Sequence, residues 1–468
     1  MNRVRQAAVV GAVAVGAVTV ALAGLRGFSS PDDSPAESRE RVVDFDGDGH
    51  QDLASPVAGD VDGVRGAGYV SVVYGSATAR KTRTQLISQN SPGVPGRAER
   101  GNSFGSSPAE GDLDGDGYTD LVVSAPGDYR GDNYDRTGLT VLWGGPRGLS
   151  GGTEIEVPSD TAGHTVTGDF DGDGHLDLAT EGMVAYGPVT RRGGAERTAE
   201  FTLQTREHPV DEDDLEVWET FDVEAGDVNG DGRDDLLATA WVDYDGELVG
   251  TPFLLYLKGT PEGLAKPRTV TRSAGRDLRA GQELSTGDLD GDGFTDVLFG
   301  DIYDLKDGHV GLVRGGASGP DGTEVTSVGS RAPGVAEPGG RDLDFGLEHA
   351  LGDVDGDGDL DVAVGSPRRL VDKREAPGRV VVLKGDGSGR LTGKGAQSVD
   401  LADCDVPATR TTEMRFARDV RLADLNGDDR AELLIAVHDV EEQLGYCVLP
   451  GTRGGPADSE PYFIEAPK

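Results

Sequence analysis

The chain has 468 residues, and 44 basic against 84 acidic side chains leave a formal charge of −40. A surface this acidic repels nucleic acid and anionic lipid, which excludes both as partners of the folded body. An apolar fraction of 36% with 73 glycines argues against a helical bundle, because glycine weakens helix interiors, and fits many short strands joined by tight turns.

Residues 1–24 read as a targeting segment. Arg3 and Arg5 precede an apolar run from Ala7 to Gly24, interrupted by Thr19 alone, and Ala21-Leu22-Ala23 offers small residues for cleavage. A run of about 18 apolar residues also suffices for an uncleaved anchor. A cleaved signal peptide and an N-terminal membrane anchor both stay open, and both place the remainder outside the cytoplasm, secreted or held on the outer side of the membrane. No cysteine adjoins the segment, which argues against lipoprotein processing. Residues 25–40, with Pro31, Asp32, Asp33 and Pro35, form a polar linker ahead of a folded body at 41–468.

Within that body one acidic nonapeptide recurs seven times. It starts at residues 44, 112, 169, 227, 288, 353 and 424, a period of about 63 residues, which means a repeat architecture. The pattern is Asp-x-Asp-x-Asp-Gly-x-x-Asp. Its odd positions are Asp44, Asp46, Asp48, His50 and Asp52 in the first copy, and Asp112, Asp114, Asp116, Tyr118 and Asp120 in the second. The third copy has Asp169, Asp171, Asp173, His175 and Asp177; the fourth has Asp227, Asn229, Asp231, Arg233 and Asp235. The fifth has Asp288, Asp290, Asp292, Phe294 and Asp296, and the sixth Asp353, Asp355, Asp357, Asp359 and Asp361. The seventh is degenerate, with Asp424, Asn426, Asp428, Arg430 and Glu432, and Asp429 where the others carry glycine.

Carboxylates at positions 1, 3 and 5 converge once the backbone curls, and glycine at position 6 permits the positive φ of a sharp curl. Position 7 offers its carbonyl and the acid at position 9 closes the site. All-oxygen ligation of this kind suits Ca²⁺, in six or seven sites; Mg²⁺ prefers fewer protein ligands and retained water. An EF-hand would need an acid at position 12 and flanking helices. Position 12 is Ser55, Val123, Thr180, Ala238, Phe299, Val364 or Ile435, and the flanks are β-branched runs, which excludes it. A string of Asp-Gly turns that bind nothing explains one copy but not a fixed register of ligand-type side chains.

Each unit reads as four short strands. In the second unit they lie at Ser103–Gly111, Leu121–Ala125, Gly138–Gly144 and Thr153–Val157. The residues flanking the loop are apolar on both faces, as in a strand sandwiched between neighbouring sheets. The expected fold is all-β, a seven-bladed β-propeller with an acidic loop in each blade.

Phe104-Gly105, then Gly111 to Asp120, then Leu121-Val122-Val123-Ser124-Ala125-Pro126-Gly127 resemble an FG-GAP repeat, the repeat of the integrin α-subunit propeller shared with secreted bacterial FG-GAP/VCBS-type proteins. Phe345-Gly346 with Val364-Gly365-Ser366-Pro367 is a second match. The resemblance spans residues 41–468, although blade three is irregular after Thr180 and blades four and seven lack the proline. It implies calcium loops on one face of a disc and ligand binding on the other.

Cys404 and Cys447, the only cysteines, are expected to form a disulfide outside the cytoplasm. Arg130-Gly131-Asp132 reads as a chance tripeptide in a chain crowded with these residues, and Leu449-Pro450-Gly451-Thr452-Arg453 as a turn rather than a sorting signal. No nucleophile elbow, zinc-type histidine spacing or phosphate loop is present. The expectation is a monomeric, non-enzymatic binding or adhesion module for an extracellular protein or glycan. Its candidate binding loops are 56–68, 126–138, 241–251, 301–308 and 367–378, with inter-blade segments 90–102 and 205–219. Trp218 and Trp241 are the exposed-aromatic candidates, although burial as blade packing is the competing role. The alternatives are an extracellular polysaccharide lyase or hydrolase, with acids, a cationic side chain and aromatics at the central funnel, and a purely structural role in an envelope assembly.

Overall fold

Apolar residues on both faces of the segment after each acidic loop make that segment a buried central strand, and one antiparallel sheet grows around each. The computed structural model describes residues 42–465 except 79, 81, 127–136, 156–162, 193, 196, 204–217, 243–251, 273–275, 279, 282, 302–307, 336–339, 405, 407–414 and 439–442. The first sheet holds β1 (Leu53–Val57), β2 (Tyr69–Tyr74) and β3 (Arg83–Ile87). The second holds β4 (Ser106–Gly111), β5 (Asp120–Ala125), β6 (Thr137–Trp143) and β7 (Ser150–Ile155), and the third β8 (Thr165–Gly168), β9 (Asp177–Thr180), β10 (Met183–Tyr186) and β11 (Arg197–Glu200). The fourth contains β12 (Trp218–Gly226), β13 (Asp235–Val242), β14 (Phe253–Leu257) and β15 (Arg268–Thr269), followed by a hairpin of β16 (Thr271–Arg272) and β17 (Arg276–Asp277). The fifth contains β18 (Leu284–Gly287), β19 (Asp296–Asp301), β20 (His309–Arg314) and β21 (Asp321–Gly329). After β22 (Gly340–Asp342), the sixth comprises β23 (Glu348–Gly352), β24 (Asp361–Ser366), β27 (Arg379–Leu383) and β28 (Gln397–Asp400). Between β24 and β27 run β25 (Arg369–Val371) and β26 (Arg374–Ala376), which pair with β22 as a small separate sheet. The seventh comprises β29 (Arg415–Ala423), β30 (Glu432–His438), β31 (Gln443–Leu449) and β32 (Tyr462–Glu465).

Strands in each of these seven sheets follow chain order, so each is an up-and-down meander. The acidic loop is the first hairpin connection. The residue before it pairs with its ninth residue: Gly111 with Asp120, Gly168 with Asp177, Gly226 with Asp235, Gly287 with Asp296, Gly352 with Asp361 and Ala423 with Glu432. The first sheet has three strands among the described residues, short of the four expected per unit. Segment 367–378, expected as a variable binding loop, contains the β25–β26 hairpin, beside the buried pair Arg379–Asp342 at 2.5 Å. An arginine so buried is tolerated because its fork is matched to a carboxylate.

Side chains from facing sheets fill seven apolar clusters, one between each successive pair. Val122, Val141 and Trp143 of the second sheet meet Leu178 and Ala185 of the third; Ala179 and Tyr186 of the third meet Leu236 and Leu255 of the fourth. The remaining interfaces repeat this, and in the last of them Leu434, Tyr446 and Val448 of the seventh sheet pack on Leu53 and Val73 of the first. The order of sheets is therefore cyclic. Backbone bonds between loops follow the same order. The position-8 N–H donates to the position-1 carbonyl of the preceding loop at Thr119 to Asp44 (2.9 Å), Asp234 to Asp169 (2.9 Å), Thr295 to Asp227 (3.0 Å) and Ala431 to Asp353 (2.7 Å). Gln51 to Asp424 (3.3 Å) joins the first loop to the seventh.

The expected disulfide is formed. Cys404 follows β28 and Cys447 lies in β31, so the bond ties the exit of the sixth sheet to the seventh. Residues 1–24 and 25–40, the Arg130-Gly131-Asp132 tripeptide, the side chains of Trp218 and Trp241, and most of segments 126–138, 205–219, 241–251 and 301–308 lie outside the described residues. Among the described residues no helix is long and apolar enough to cross a membrane.

Candidate metal centres

The first aspartate of each loop organises the curl. Asp112 accepts the Asp116 N–H on Oδ1 (3.0 Å) and the Gly117 N–H on Oδ2 (2.9 Å). Asp44, Asp169, Asp227, Asp288, Asp353 and Asp424 do the same in their own loops. Two residues per loop take positive φ rather than the one expected: Gly115 at 74° and Gly117 at 89° in the second loop. In the seventh, Asp429 holds the sixth position at φ 62°, a conformation aspartate tolerates better than most residues.

The ninth residue is buried under the curl. Asp120 accepts the Leu113 N–H on Oδ2 (3.1 Å) and the Gly144 N–H on Oδ1 (2.8 Å). Burial pushes its pKa up to about 7 against those two donors, and raises Asp52, Asp177 and Asp296 to about 7 for the same reason. The glycine donor has its own cause: a Cβ on Gly144 would lie 2.2 Å from the Thr119 carbonyl. A glycine stands at this place in every repeat, at 75, 144, 187, 259, 315, 385 and 451. That regularity was legible in the sequence, and the motif reading passed over it.

The third residue carries the decisive detail. Asp46, Asp114, Asp171, Asp290 and Asp355 each have a buried Oδ1 with no hydrogen-bond partner. The other oxygen is held by a cation: Arg83 on Asp46 (2.8 Å), Arg191 on Asp114 (2.5 Å), Arg197 on Asp171 (2.8 Å), Arg314 on Asp290 (3.2 Å) and Lys384 on Asp355 (2.5 Å). Arg83 and Arg197 in turn lie flat on Tyr74 and Tyr186, 3.4 and 3.5 Å from the ring centroids. The cation orients each carboxylate so that its free oxygen turns into the loop. An unbonded buried carboxylate oxygen is costly unless a positive ion meets it.

Those five loops are also the ones that gather three acids. Oxygens of Asp112, Asp114 and Asp120 lie within 4.8 Å of one another, as do those of Asp169, Asp171 and Asp177, and of Asp288, Asp290 and Asp296. In the first and sixth loops the trios are Asp44, Asp46, Asp48 and Asp353, Asp355, Asp357. The donor set is hard oxygen throughout, and it fits a divalent cation such as Ca²⁺.

Loops four and seven stand apart, each with asparagine at position 3. Asn229 donates to Asp235 (2.9 and 2.7 Å), while Lys258 (2.7 Å) and Arg233 (2.9 Å) both pair with Oδ2 of Asp231, whose Oδ1 is buried without a hydrogen-bond partner. In the seventh loop Asn426 donates to Glu432, and Arg430 pairs with Asp428 at 3.1 Å. The sequence reading separated the seventh loop from the rest and did not separate the fourth.

Position 7 does more than expose a carbonyl. Its side chain covers the position-4 glycine of the preceding loop: Tyr118 over Gly47, Arg233 over Gly172, Phe294 over Gly230, Arg430 over Gly356 and His50 over Gly427.

A second group was missed altogether. The strands that enter the loops lie side by side from sheet to sheet and carry Glu110, Asp222, Glu224, Glu348 and Asp419, with Glu283 just ahead of β18. Burial raises Glu348 to about 8 and Asp222 to about 6, and lifts Glu224 and Glu283 well above the usual carboxylate range. Arg421, on β29 among them, is raised, first by Asp419. His349 bridges adjacent strands through Ser285 Oγ (2.9 Å) and the Glu283 carbonyl (3.2 Å), and burial lowers its pKa to about 4. In so acidic a chain nothing in the sequence singles these residues out.

The FG-GAP repeat profile matches residues 104–142, and an FG-GAP-like repeat profile matches 353–435. Integrin alpha-PS2 of Drosophila melanogaster is 31% identical over 214 residues, 43% of this chain; the chain spans 15% of that protein's length. Among solved structures, the exotype rhamnogalacturonan lyase YesX aligns over 86% of this chain and 70% of its own at 15% identity, with a TM-score of 0.39. The C-terminal domain of Pseudomonas aeruginosa PilY1 aligns over 83% and 80% at 13% identity, with a TM-score of 0.30. The chain thus carries FG-GAP-type repeats at 104–142 and 353–435 and is similar over 214 residues to an integrin α subunit.

Proposed function

We propose that the seven sheets are the blades of a calcium-stabilised seven-bladed β-propeller, exported from the cell, which binds an extracellular protein or glycan without turning it over. The closed order of seven apolar clusters and the loop-to-loop bond from Gln51 to Asp424 support the ring. The observation that carries the calcium reading is the unbonded, cation-oriented Oδ1 at position 3 of five loops. In those loops the aspartates at positions 1, 3, 5 and 9 would hold the ion, which supplies positive charge and cross-links the curl to the strand behind it. The similarity to an integrin α subunit and the Cys404–Cys447 disulfide support a place outside the cytoplasm. The N-terminal 24 residues would direct export, cleaved or retained as an anchor, and the body would act as a monomer. A rigid ring whose loops away from the metal ends differ in length is a scaffold for recognition.

The test is binding of the purified 41–468 body, with calcium and with chelator, to a glycan array and to immobilised extracellular-matrix proteins. Saturable, calcium-dependent binding to one class supports the reading; none in calcium defeats it and leaves a structural role.

One observation favours a polysaccharide-active enzyme instead: several half-buried acids collect around Arg421 on the loop-entering strands. Raised carboxyl pKa values beside a fixed cation are what acid–base catalysis on a sugar chain uses. Incubation with acidic polysaccharides, followed by assay for new unsaturated or reducing ends, decides this. Turnover abolished by Glu348→Gln establishes the enzyme and overturns the binding module.

A further inference from the structure

Beside the fourth loop lies a cavity of about 300 Å³, lined by Asn229, Tyr256, Lys258, Lys266, Arg268 and Ser318 among others. That volume is at the lower end of small-ligand sites. Three of its lining residues are cations and none is an acid, in a chain of charge −40. The adjacent acids are already engaged. Asp231 faces two cations, Lys258 and Arg233, and Asp235 accepts from Asn229, Tyr256 and the Gly259 N–H. Arg268 places its guanidinium carbon over Tyr256, 4.4 Å from the ring centroid, and donates Nη2 to the Ser318 carbonyl at 3.1 Å. Among the described residues neither Arg268 nor Lys266 forms an ion pair with a carboxylate, although Asp235 attracts Arg268 from beyond ion-pair distance. A stacked guanidinium keeps its remaining donors in a fixed plane, the arrangement that suits an oxyanion with two oxygens to offer. The neutral amide of Asn229 stands where most loops have aspartate, which removes a repulsive charge from the wall.

We propose that this cavity is an anion site, which takes a small oxyanion such as a sugar carboxylate or a sulfate group through Arg268, Lys266 and Lys258. It lies at the metal-loop end of the fourth and fifth sheets and is independent of the ligand face invoked above. Arg268 and Lys266 supply the charge, Asn229 and Ser318 the neutral polar lining, and Tyr256 the floor.

The experiment is isothermal titration of the full calcium-loaded chain at low ionic strength with sodium sulfate, sodium glucuronate and glucose. The expected result is millimolar or tighter binding of at least one anion, weakened by salt, and none of glucose. Arg268→Ala with Lys266→Ala should weaken it at least tenfold, while Arg147→Ala, away from the cavity, leaves it unchanged. Because Lys266 is exposed, Lys266→Glu serves as a second variant that disturbs packing least. Glucuronate binding tighter than sulfate assigns the site to a saccharide carboxylate; the reverse assigns it to sulfate, free or esterified. No heat with either anion, or equal affinity in the variants with an unchanged melting temperature, overturns the site, whatever the glycan array shows.

Discussion

At the third position of the second loop, Asp114 holds Arg191 with one oxygen and leaves the other buried and unbonded. At the same place in the fourth loop, Asn229 gives its amide to Asp235 and takes a 3.3 Å bond from Lys258. The two backbones curl alike, with Gly115 and Gly230 at φ 74° and 71°. The difference teaches that curl and ion are separable. The curl is set by the first aspartate and two positive-φ residues; on the proposed reading, an ion would be required only where acidic charge is left uncompensated. The fourth loop sets two cations, Lys258 and Arg233, against Asp231, although Oδ1 of that aspartate still has no hydrogen bond. The seventh sets Arg430 against Asp428 and gains a covalent tie to its neighbour through Cys404–Cys447.

Removing calcium strains this comparison most. A site at one hundred times its dissociation constant contributes about 2.7 kcal/mol, so five sites sum to more than about 10 kcal/mol, comparable to the whole stability of a domain. Chelation should lower the melting temperature by roughly 10–20 °C. Metal analysis of the loaded chain should find one calcium for each of the five loops with three gathered acids. Seven ions per chain, or a melting curve unmoved by chelator, would break the distinction.

Next in size is the disulfide. Cys447→Ser should cost about 2–4 kcal/mol, equally with calcium and with chelator, if the seventh loop, as proposed, holds no ion. A cost that vanishes in chelator would mean that the seventh loop does bind calcium.

Exchanging the third residues tests the comparison from both sides. Asp114→Asn should remove one calcium and about 2–3 kcal/mol of stability in calcium, and in chelator no more than the roughly 1 kcal/mol of its pair with Arg191. Asn229→Asp with Lys258→Ala should add a calcium, read by the same metal analysis. If neither stoichiometry moves, position 3 is not what decides occupancy.

The seven loops, their period and their strands were legible because carboxylates and glycines in fixed register leave a pattern that composition cannot imitate. What decides occupancy was not. Whether the third-position carboxylate has an unbonded oxygen depends on Arg83, Arg191, Arg197, Arg314 and Lys384, which reach it from different distances along the chain. The position before the conserved-in-repeat glycine is Tyr74, Trp143 and Tyr186 in the first three sheets, and Lys258, Arg314 and Lys384 in the next three. Aromatic support for an arginine thus gives way to a cation in place, and a motif that ends at position 9 does not include it. The half-buried acids around Arg421 were invisible because their enclosure by neighbouring strands, not residue type, sets them apart.

In saturating calcium, bound ions would hold the carboxylates of five loops deprotonated, while burial raises Asp235 and Glu432 of the other two to about 6 and about 7, so a pH series needs the Glu348→Gln variant to isolate Glu348. Glu348 has a folded-state pKa near 8, above its ordinary value, so the folded chain holds this proton more tightly than the unfolded one. Its contribution is full below the ordinary glutamate range and is lost as pH rises towards 8. The melting temperature should fall over that window, and Glu348→Gln should flatten the slope. A slope that rises, or one the variant leaves unchanged, would remove Glu348 from the account.

The smallest expected effect is also the most selective. Lys258 sits 2.7 Å from Asp231 with 43% of its side chain exposed, and Arg233 still pairs with that carboxylate when Lys258 is gone. Solvent screening limits such a pair to under about 1 kcal/mol, so Lys258→Met should lower stability slightly and by the same amount with and without calcium. An occupied fourth loop gives the opposite sign. There the ammonium would compete with the ion for Asp231, and its removal would tighten calcium binding and raise the melting temperature in calcium alone. The sign of one small shift, measured in two buffers, therefore separates a loop closed by side chains from a loop closed by metal.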